Sequence, residues 1–285
     1  MLALAALAQP FYADPAHSNA AHYARTHHGR DAKVMRKFAQ IPQSRWFTGG
    51  SPKQVRHDVR ALVDAATRKG QLPVVAYNVP NRDCSQYSAG GAKNARAYKH
   101  WIDGFAKGIG ARPAAVILEP DALAGLCGKR RLANLRAAVA RLKRLPNTTT
   151  YVDAGHSNWQ PAATMANRLT KVHAAAYALN VSNFQRSNDL IAYGHRISPT
   201  LHFVIDTSRN GRGPWHGKEE WCNPPRRGLG ARPTTNTGDP LVDAFLWVKA
   251  PGESDGECAD GKDPPAGQWW PQYALGLARR ARPPL

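Results

Sequence analysis

Carboxylates follow several short apolar segments of the chain, and these are the residues best placed to do chemistry. The segments at 73–77, 115–118, 149–152 and 244–248 each precede Asp or Glu. The carboxylates concerned are Asp83, Glu119, Asp121, Asp153, Glu253 and Asp255. If the segments are parallel strands, their carboxyl ends meet at one edge of the sheet and the carboxylates share one cleft. A single Asp there can cap a helix, but four sets are hard to explain by capping.

Carboxylates that converge in this way allow two kinds of chemistry. In the first, they bind a divalent metal ion for phosphoryl transfer, because oxygen ligands suit such ions. In the second, one carboxylic acid protonates a glycosidic oxygen while another carboxylate activates water, and neighbouring carboxylates raise the pKa of the acid.

Tryptophans in predicted loops favour the second chemistry. They are Trp46, Trp159, Trp215 and Trp221, which all lie off any helical stripe. Exposed indole rings stack on the apolar faces of sugars. Any one of these residues could instead anchor a loop in the core, but the four together favour a sugar-binding cleft.

The elements that must position these groups alternate along the chain. A fifth apolar segment, 202–205, is also predicted to be a buried strand. Between the strands, apolar residues recur at helical spacing at 55–66, 98–105 and 132–142. Ser51 and Pro52 are a plausible N-cap and first turn for the first of these helices. The alternation predicts parallel strands with crossover helices, hence an α/β sheet or barrel in a single domain.

The chain is strongly basic, with 285 residues, 39 Lys+Arg against 20 Asp+Glu and a formal charge of +19. Nucleic acid is therefore the first partner to consider. Part of the charge falls on the predicted solvated face of the third helix, at Arg130, Arg131, Arg136, Lys143 and Arg144. Nucleic-acid-binding patterns are absent from the sequence, and no apolar run approaches the roughly 20 residues of a membrane helix. We expect neither a nucleic acid nor a membrane partner.

The cysteines and the first residues bear on the cellular compartment. The four cysteines are far apart, with no C-x-x-C pair and no zinc-finger spacing. They fit either two disulfides in an exported protein or four buried thiols in a cytosolic one. Residues 1–8 resemble the end of a signal peptide with an A-x-A cleavage site. We expect a secreted protein with a lead at 1–30 and a catalytic domain at 31–285.

Two longer motifs make the interpretation specific. Residues 75–91 read VAYNVPNRDCSQYSAGG and residues 116–123 read VILEPDAL. They resemble the two signatures of glycoside hydrolase family 6, a family of inverting endoglucanases and cellobiohydrolases. Shorter stretches agree in order at 151–159, 180–183, 204–211, 221–223 and 243–256, so the resemblance runs from about Trp46 to Cys258. It implies a single-domain α/β fold, a distorted and incomplete parallel β/α barrel of about seven strands, that hydrolyses β-1,4-glucan without a metal or cofactor.

The resemblance also implies roles for residues of the two signatures. Asp121 is expected to be the general acid that protonates the leaving oxygen. Asp83 matches a second carboxylate that raises the pKa of that acid, and Arg82 beside it would keep Asp83 ionised. Tyr77 matches a residue that presses on the distorted sugar, and Asp255 matches the residue proposed as the catalytic base.

Further positions match sugar contacts of the family, and Trp46 matches a stacking platform on the non-reducing side. The expected substrate-binding residues are Trp46, Asp153, His156, Trp159, Asn183, Trp221, Lys249 and Glu253. Glu119, Asp206 and Asp243 are interpreted as structural. The resemblance pairs the cysteines as Cys84 with Cys127 and Cys222 with Cys258.

The chain departs from the family at Ala89, where many members have a Ser whose hydroxyl holds a water relay toward the carboxylate matched by Asp83. Ser88 is expected to point elsewhere. The departure favours Asp255 as a direct or water-linked base over relay to Asp83. In an inverting enzyme the acid and the base stand roughly 6.5–9.5 Å apart, which is the expected separation of Asp121 from the base.

The mode of action is expected to be internal cleavage. Cellobiohydrolases of the family roof the cleft with two long loops, whereas the stretches 159–183 and 221–249 are short here. An endoglucanase acting as a monomer on β-1,4-glucan is therefore favoured. The alternatives are a cellobiohydrolase of the same family and, from other classes, a non-catalytic glycan-binding protein or a basic nucleic-acid binder.

Overall fold

The protein, as a computed structural model, is described at residues 7, 10–14 and 18–285, apart from the side chains of 259 and 260. The signal-peptide-like start lies, except for Leu7, outside these residues. Within them, seven parallel strands form one sheet in chain order. The strands are β1 (Arg45–Phe47), β2 (Val74–Ala76), β3 (Ala114–Leu118), β4 (Thr148–Asp153), β5 (Ala176–Leu179), β6 (His202–Asp206) and β7 (Val242–Leu246). The predicted fold class, an incomplete parallel β/α barrel, is confirmed.

Helices connect most of the strands and cover the outside of the sheet. Before β1 lie α1 (Asn19–Thr26) and α2 (Gly29–Phe38). The helices that follow β1 are α3 (Pro52–Thr67), α4 (Ala95–Ile109), α5 (Ala122–Gly125), α6 (Arg131–Leu142), α7 (Ala162–Val172), α8 (Ser187–Ile197), α9 (Cys258–Gly261) and α10 (Pro271–Arg279). Ser51 caps α3 as predicted, since its side chain accepts from the Gln54 N–H at 3.1 Å. Among the described residues, no helix is long and apolar enough to cross a membrane.

The strands are buried on both faces because successive side chains point in opposite directions. In β2, Val74 and Ala76 belong to the outer cluster with the helices, whereas Val75 lies in the inner cluster with Ile117 and Val204. Burial on both faces is typical of parallel sheets with crossover helices. It leaves the loops after the strands as the place where polar side chains can gather.

The barrel closes between β1 and the end of β7 by isolated hydrogen bonds. The Ser44 N–H donates to the Trp247 carbonyl at 2.8 Å, and the Trp46 indole N–H donates to the Val248 carbonyl at 2.7 Å. The first and last strands are not neighbours in the sheet order. The closure is therefore loose, and Trp46 lies at the seam.

The first and last helices pack together beside this seam. Ala20 of α1, Phe38 of α2 and Leu277 of α10 belong to one buried cluster with Trp247. The boundary predicted at residue 30 falls inside α2.

Sequence patterns located most but not all of these elements. All five predicted strands are present, with ends displaced by one or two residues, and β1 and β5 are additional. β1 has three half-buried residues, two of them Arg45 and Trp46, and so lacks an apolar run. The expectation that Trp46 lies in a loop is wrong. Arg131 is also not solvated: it is buried and donates to the Cys127 and Asn81 carbonyls at 3.2 and 2.7 Å.

Candidate active site

A cleft of about 580 Å³ lies where the loops after the strands converge. Ten of the twelve predicted catalytic and substrate-binding residues line it: Trp46, Tyr77, Asp83, Asp121, His156, Trp159, Asn183, Trp221, Lys249 and Asp255. Polar side chains that the sequence did not single out also line it, among them Gln86, Asn158, Gln185, Glu219 and Glu220. The two predicted residues outside this lining are Asp153 and Glu253.

Asp121 lies in the loop after β3 in a left-handed backbone conformation, with φ 66°. Its backbone N–H donates to Asp153 Oδ2 at 2.8 Å. Burial raises the pKa of the Asp121 carboxyl well above its usual value, and the nearby carboxylates of Asp153, Asp83 and Asp255 raise it further. A raised pKa favours the protonated form of the carboxyl, which is the form that a general acid needs.

Asp153, at the end of β4, is fully buried and positions Asp121. Its Oδ2 also accepts from the Gly155 N–H at 3.3 Å, while its Oδ1 has no hydrogen-bond partner among the described residues. Burial raises its pKa to about 7, although the two N–H donors oppose that shift. Asp153, predicted to contact the sugar, has no exposed surface and lies beneath Asp121 in this structure, outside the lining of the cleft.

Asp83 lies in a strained loop after β2. Asn81, Asp83, Cys84 and Ser85 all have positive φ between 53° and 67°, and backbone in this region is costly for residues other than glycine. The Ser88 N–H donates to Asp83 Oδ2 at 2.6 Å. Contrary to expectation, Ser88 lines the cleft.

Arg82 fixes the same loop through backbone carbonyls. Its guanidinium donates to the carbonyls of Thr48, Tyr77 and Ser88 at 2.8 to 3.0 Å. Burial raises the pKa of Asp83 overall, against the lowering effects of the Ser88 N–H and Arg82. Arg82 thus acts in the predicted direction, but burial outweighs it.

Asp255, in the loop after β7, has two cations beside its carboxylate. Its Oδ2 lies 2.8 Å from Arg209 Nη1, and its Oδ1 lies 3.6 Å from Lys249 Nζ. The Asn223 N–H donates to Oδ2 at 3.1 Å, and the Asn223 side chain accepts from the Asp255 N–H at 2.8 Å. Asp255 is therefore held as an ion pair, in a fixed orientation at the edge of the cleft.

Arg209, the ion-pair partner of Asp255, is a residue of the site that the sequence interpretation missed. It is fully buried, its guanidinium also donates to the Ser182 carbonyl, and it lies over the Phe184 ring at 4.3 Å. Its position three residues after Asp206, the last residue of β6, was a usable signal. A basic residue just past a buried strand lies at the same edge of the sheet as the carboxylates.

Two buried carboxylates, Glu119 and Asp206, hold these loops through hydrogen bonds from backbone N–H groups. This agrees with the prediction that both residues are structural. Glu119 accepts from the backbone N–H groups of Asn78 and Val79 at 2.9 to 3.1 Å, and burial raises its pKa to about 7. Asp206 accepts from four backbone N–H groups, those of Ser182, Ser208, Val248 and Lys249, at 2.9 to 3.2 Å. Each carboxylate joins neighbouring loops and satisfies N–H groups that would otherwise be buried without partners.

Both predicted disulfides are present. Cys84–Cys127 joins the loops after β2 and β3, and Cys222–Cys258 joins the Trp221 segment to the loop after β7. They span 43 and 36 residues. In the chain-entropy model, loops of this length correspond to about 4 kcal/mol each. The bonds tie the loops that carry Asp83 and Asp255 to the rest of the cleft.

Aromatic rings line the cleft along its length. Trp159 and Trp221 are each 39% exposed, which is unusual for indoles and leaves their faces free for a ligand. Trp46 meets the Tyr77 ring edge-on at 5.3 Å. Trp215, also considered from the sequence, is not among the lining residues. Burial lowers the pKa of His156 to about 4, so its imidazole is neutral near pH 7 and can exchange hydrogen bonds with hydroxyl groups.

The carboxylates do not form a metal cluster in the described part of the chain. No group of three or more His, Cys, Asp or Glu side chains there is arranged to hold a metal ion. Their immediate partners are backbone N–H groups, arginine and lysine. The arrangement therefore places a carboxyl of raised pKa, Asp121, and an ion-paired carboxylate, Asp255, in one cleft lined by aromatic rings.

Comparisons with known proteins agree with this geometry. The model of a family described as glycosyl hydrolases family 6 matches residues 4–281. The chain is 43% identical to endoglucanase A of Thermobispora bispora over 295 residues, covering 96% of this chain and 63% of that protein. It is also 43% identical to endoglucanase A of Cellulomonas fimi, covering 89% of this chain and 58% of that protein. The chain thus spans less than two thirds of the length of these two relatives.

A solved structure shares the whole fold. The endoglucanase of Mycobacterium tuberculosis, in complex with methyl-cellobiosyl-4-deoxy-4-thio-β-D-cellobioside, superposes with a TM-score of 0.92 at 42% identity. The match covers 98% of this chain and 99% of that one.

Proposed function

Because the chain belongs to glycoside hydrolase family 6, we propose that it is an endo-β-1,4-glucanase that cleaves internal bonds of cellulose with inversion. The observation that carries the proposal is the contrast between Asp121, whose pKa is raised by burial and by neighbouring carboxylates, and Asp255, which is ion-paired with Arg209 in the same cleft. Inverting hydrolysis requires one group in each state. The exposed tryptophans supply stacking surfaces for glucosyl rings.

The general acid in this mechanism is Asp121. It protonates the glycosidic oxygen as the bond to the leaving chain breaks, and its neighbours Asp153 and Asp83 favour the protonated ground state. Asp83 also stabilises the positive charge that develops on the sugar ring. Tyr77, whose pKa is raised by burial and by the nearby carboxylates, stays a neutral phenol that presses on the ring.

The attacking water is assisted by Asp255. Its Oδ2 is occupied by Arg209 and by the Asn223 N–H, so Oδ1, 3.6 Å from Lys249 Nζ, is the oxygen with room for water. Arg209 and Lys249 fix the orientation of the carboxylate, which lowers the entropy cost of placing the water. We expect Asp121 and Asp255 to stand roughly 6.5–9.5 Å apart in the substrate complex, which leaves space for that water.

Internal cleavage fits an open cleft, and two disulfides fit an oxidising compartment. We therefore propose a secreted enzyme that acts as a monomer on cellulose chains. Its remaining sugar contacts would come from Trp46, His156, Asn183 and Lys249, which line the same cleft.

The test is hydrolysis of hydroxyethyl-cellulose, a neutral soluble cellulose, followed by viscosity and by reducing ends, with and without a chelator. An endoglucanase lowers viscosity early, when few ends have formed, whereas slow viscosity loss relative to sugar release would indicate a cellobiohydrolase. Proton NMR of the first product should show the α-anomer, and a β-anomer would rule out inversion. Loss of activity in chelator would point back to a metal site.

A further inference from the structure

A second cavity, of about 310 Å³, lies on the other side of Trp46 from the catalytic carboxylates. It is formed between the start of β1 and the segments that carry Glu253 and Trp269. Trp46 lines both this cavity and the catalytic cleft. The volume of the second cavity is at the small end of the range for ligand sites, which is roughly 300 to 1,000 Å³. The two spaces are thus neighbours that share one aromatic wall.

Several polar residues line this cavity without a side-chain hydrogen bond to another described residue. They are Gln43, Arg45, Glu253 and Trp269, all half-buried, and the charges of Arg45 and Glu253 act on each other. Polar groups that lose water without gaining a partner are costly. An amide, a guanidinium, a carboxylate and an indole N–H on residues that line one small space together match the donors and acceptors of sugar hydroxyl groups.

Trp269, a second aromatic residue that lines this cavity, is held in place by packing. The Trp269 ring lies 6.2 Å from the Phe38 ring at an interplanar angle of 22°. Gly252 has φ 101°, and a Cβ there would approach the Trp269 ring to 2.7 Å. Because Trp269 packs directly on this glycine, it offers a fixed apolar surface beside the polar groups.

We propose that this cavity binds one additional glucosyl unit of the glucan chain, beyond the sugar that stacks on Trp46. This inference rests on the proposed function, in which Trp46 lies on the non-reducing side of the cleaved bond. An endoglucanase must let the chain continue past that point. The cavity gives the continuing chain a site that is lined by Arg45, Glu253, Gln43 and Trp269. The proposed catalytic mechanism uses none of these four residues, although Glu253 is predicted to contact a sugar.

Cellotetraose and cellopentaose hydrolysed in water enriched in oxygen-18 test the proposal. The new reducing end takes up the heavy oxygen, so mass spectrometry shows which product came from the non-reducing side. We expect cellotetraose to give labelled cellobiose and cellopentaose to give mainly labelled cellotriose. We also expect kcat/KM to be about tenfold higher for the pentamer, a ratio that corresponds to about 1.4 kcal/mol of additional binding free energy. Labelled cellobiose as the main pentamer product, with equal kcat/KM, would overturn the inference.

Arg45→Gln links the effect to the cavity. It should bring the pentamer-to-tetramer ratio of kcat/KM down toward about 2, a roughly fivefold loss that is within the range for removal of one typical hydrogen bond, and shift the label toward cellobiose. Arg60→Gln, which removes an exposed arginine on α3, is the matched control and should leave the ratio unchanged. An unchanged ratio in both Arg45→Gln and Trp269→Leu, each with a wild-type circular dichroism spectrum, would contradict the proposal.

The proposed function and the additional site fail in different ways. If neither oligosaccharide is hydrolysed, the proposed function is wrong. Calorimetric titration of the wild-type protein and of Arg45→Gln with cellopentaose then tests the cavity directly. Weaker binding by the variant supports the additional site, and equal Kd values overturn it.

Discussion

Each side of the cleft carries an aspartate carboxyl group, and the charged neighbours of the two groups differ in sign. On the β3–β4 side, Asp121 lies next to Asp153 and has no hydrogen-bonded cation among the described residues. On the β6–β7 side, Asp255 pairs with the buried Arg209 and lies near Lys249. Burial and neighbouring carboxylates raise the pKa of the first, while cations hold the second as an ion pair. In the proposed mechanism, the roles of acid and base are therefore set by neighbours and not by residue type.

This contrast also shows how a chain of charge +19 builds an acidic site. Among the described residues, the Lys or Arg side chains ion-paired with the carboxylates proposed to be catalytic are Arg209 and Lys249, and both pair with Asp255. The guanidinium of Arg82, beside Asp83, donates hydrogen bonds to backbone carbonyls. Global charge therefore says little about the field at the cleavage point.

The largest expected effect comes from removing the proton donor. Asp121→Ala should lower kcat on cellulose by about 10³ to 10⁴, near the upper range for general acid catalysis. An aryl cellobioside with a very acidic phenol needs little protonation and should lose much less. Steady-state kinetics on both substrates measure the difference. Equal losses on the two would mean that Asp121 does not protonate the leaving group.

Removing the proposed base on the other side of the cleft should lower kcat by a smaller but still large factor. Asp255→Ala should lower kcat by at least about 10², because water loses its acceptor while Asp83 can still assist. Activity of this variant should recover in part with azide, a small anion that can attack in place of water. Hydrolysis at nearly the wild-type rate would exclude Asp255 as the base and leave Asp83.

The pH profile gives a finer test of the carboxylate side. Asp153→Asn keeps an acceptor for the Asp121 N–H but removes the negative charge that raises the Asp121 pKa. The Asp121 pKa should fall, so the decline of kcat at alkaline pH should begin at lower pH, with kcat at neutral pH reduced about tenfold. A profile measured from pH 4 to 9 decides this. An unshifted alkaline limb would show that Asp153 does not set the Asp121 pKa.

The smallest effect concerns stability. Asp153 has a folded-state pKa of about 7 against an ordinary value of 3.8. The folded protein thus binds the extra proton, and this contribution to stability is present below about pH 4 and is lost as the pH rises to about 7. His156, with a folded-state pKa of about 4 against 6.5, changes stability in the opposite direction.

Urea unfolding of the wild type and of Asp153→Asn between pH 4 and 8 separates these contributions. The stability of the wild type relative to the variant should fall across this range and become constant above about pH 7. Glu119→Gln should behave similarly, since burial raises the Glu119 pKa to about 7 as well. A difference independent of pH would contradict the assigned pKa of Asp153.

Sequence reasoning located the fold and most of the cleft for a physical reason. Apolar segments followed by carboxylates indicate strand ends, and strand ends converge in a parallel sheet. The same reasoning failed at Trp46, because β1 is only three residues long and half-buried and so gives no periodic signal. It also placed Asp153 among the sugar contacts, because a residue type and a position do not show which way a buried side chain faces.

By itself the sequence determined the alternation of five strands with helices, the cysteine pairs through family resemblance, and the identities of the carboxylates at the strand ends. Tertiary structure alone decided how the pKa values of these carboxylates are shifted, because the shifts depend on burial and on neighbours that are distant in sequence. Asp121 and Asp153 are 32 residues apart, and Arg209 and Asp255 are 46 residues apart. The cavity beside Trp46 likewise joins residues near 45, 253 and 269. Only folding brings those surfaces together.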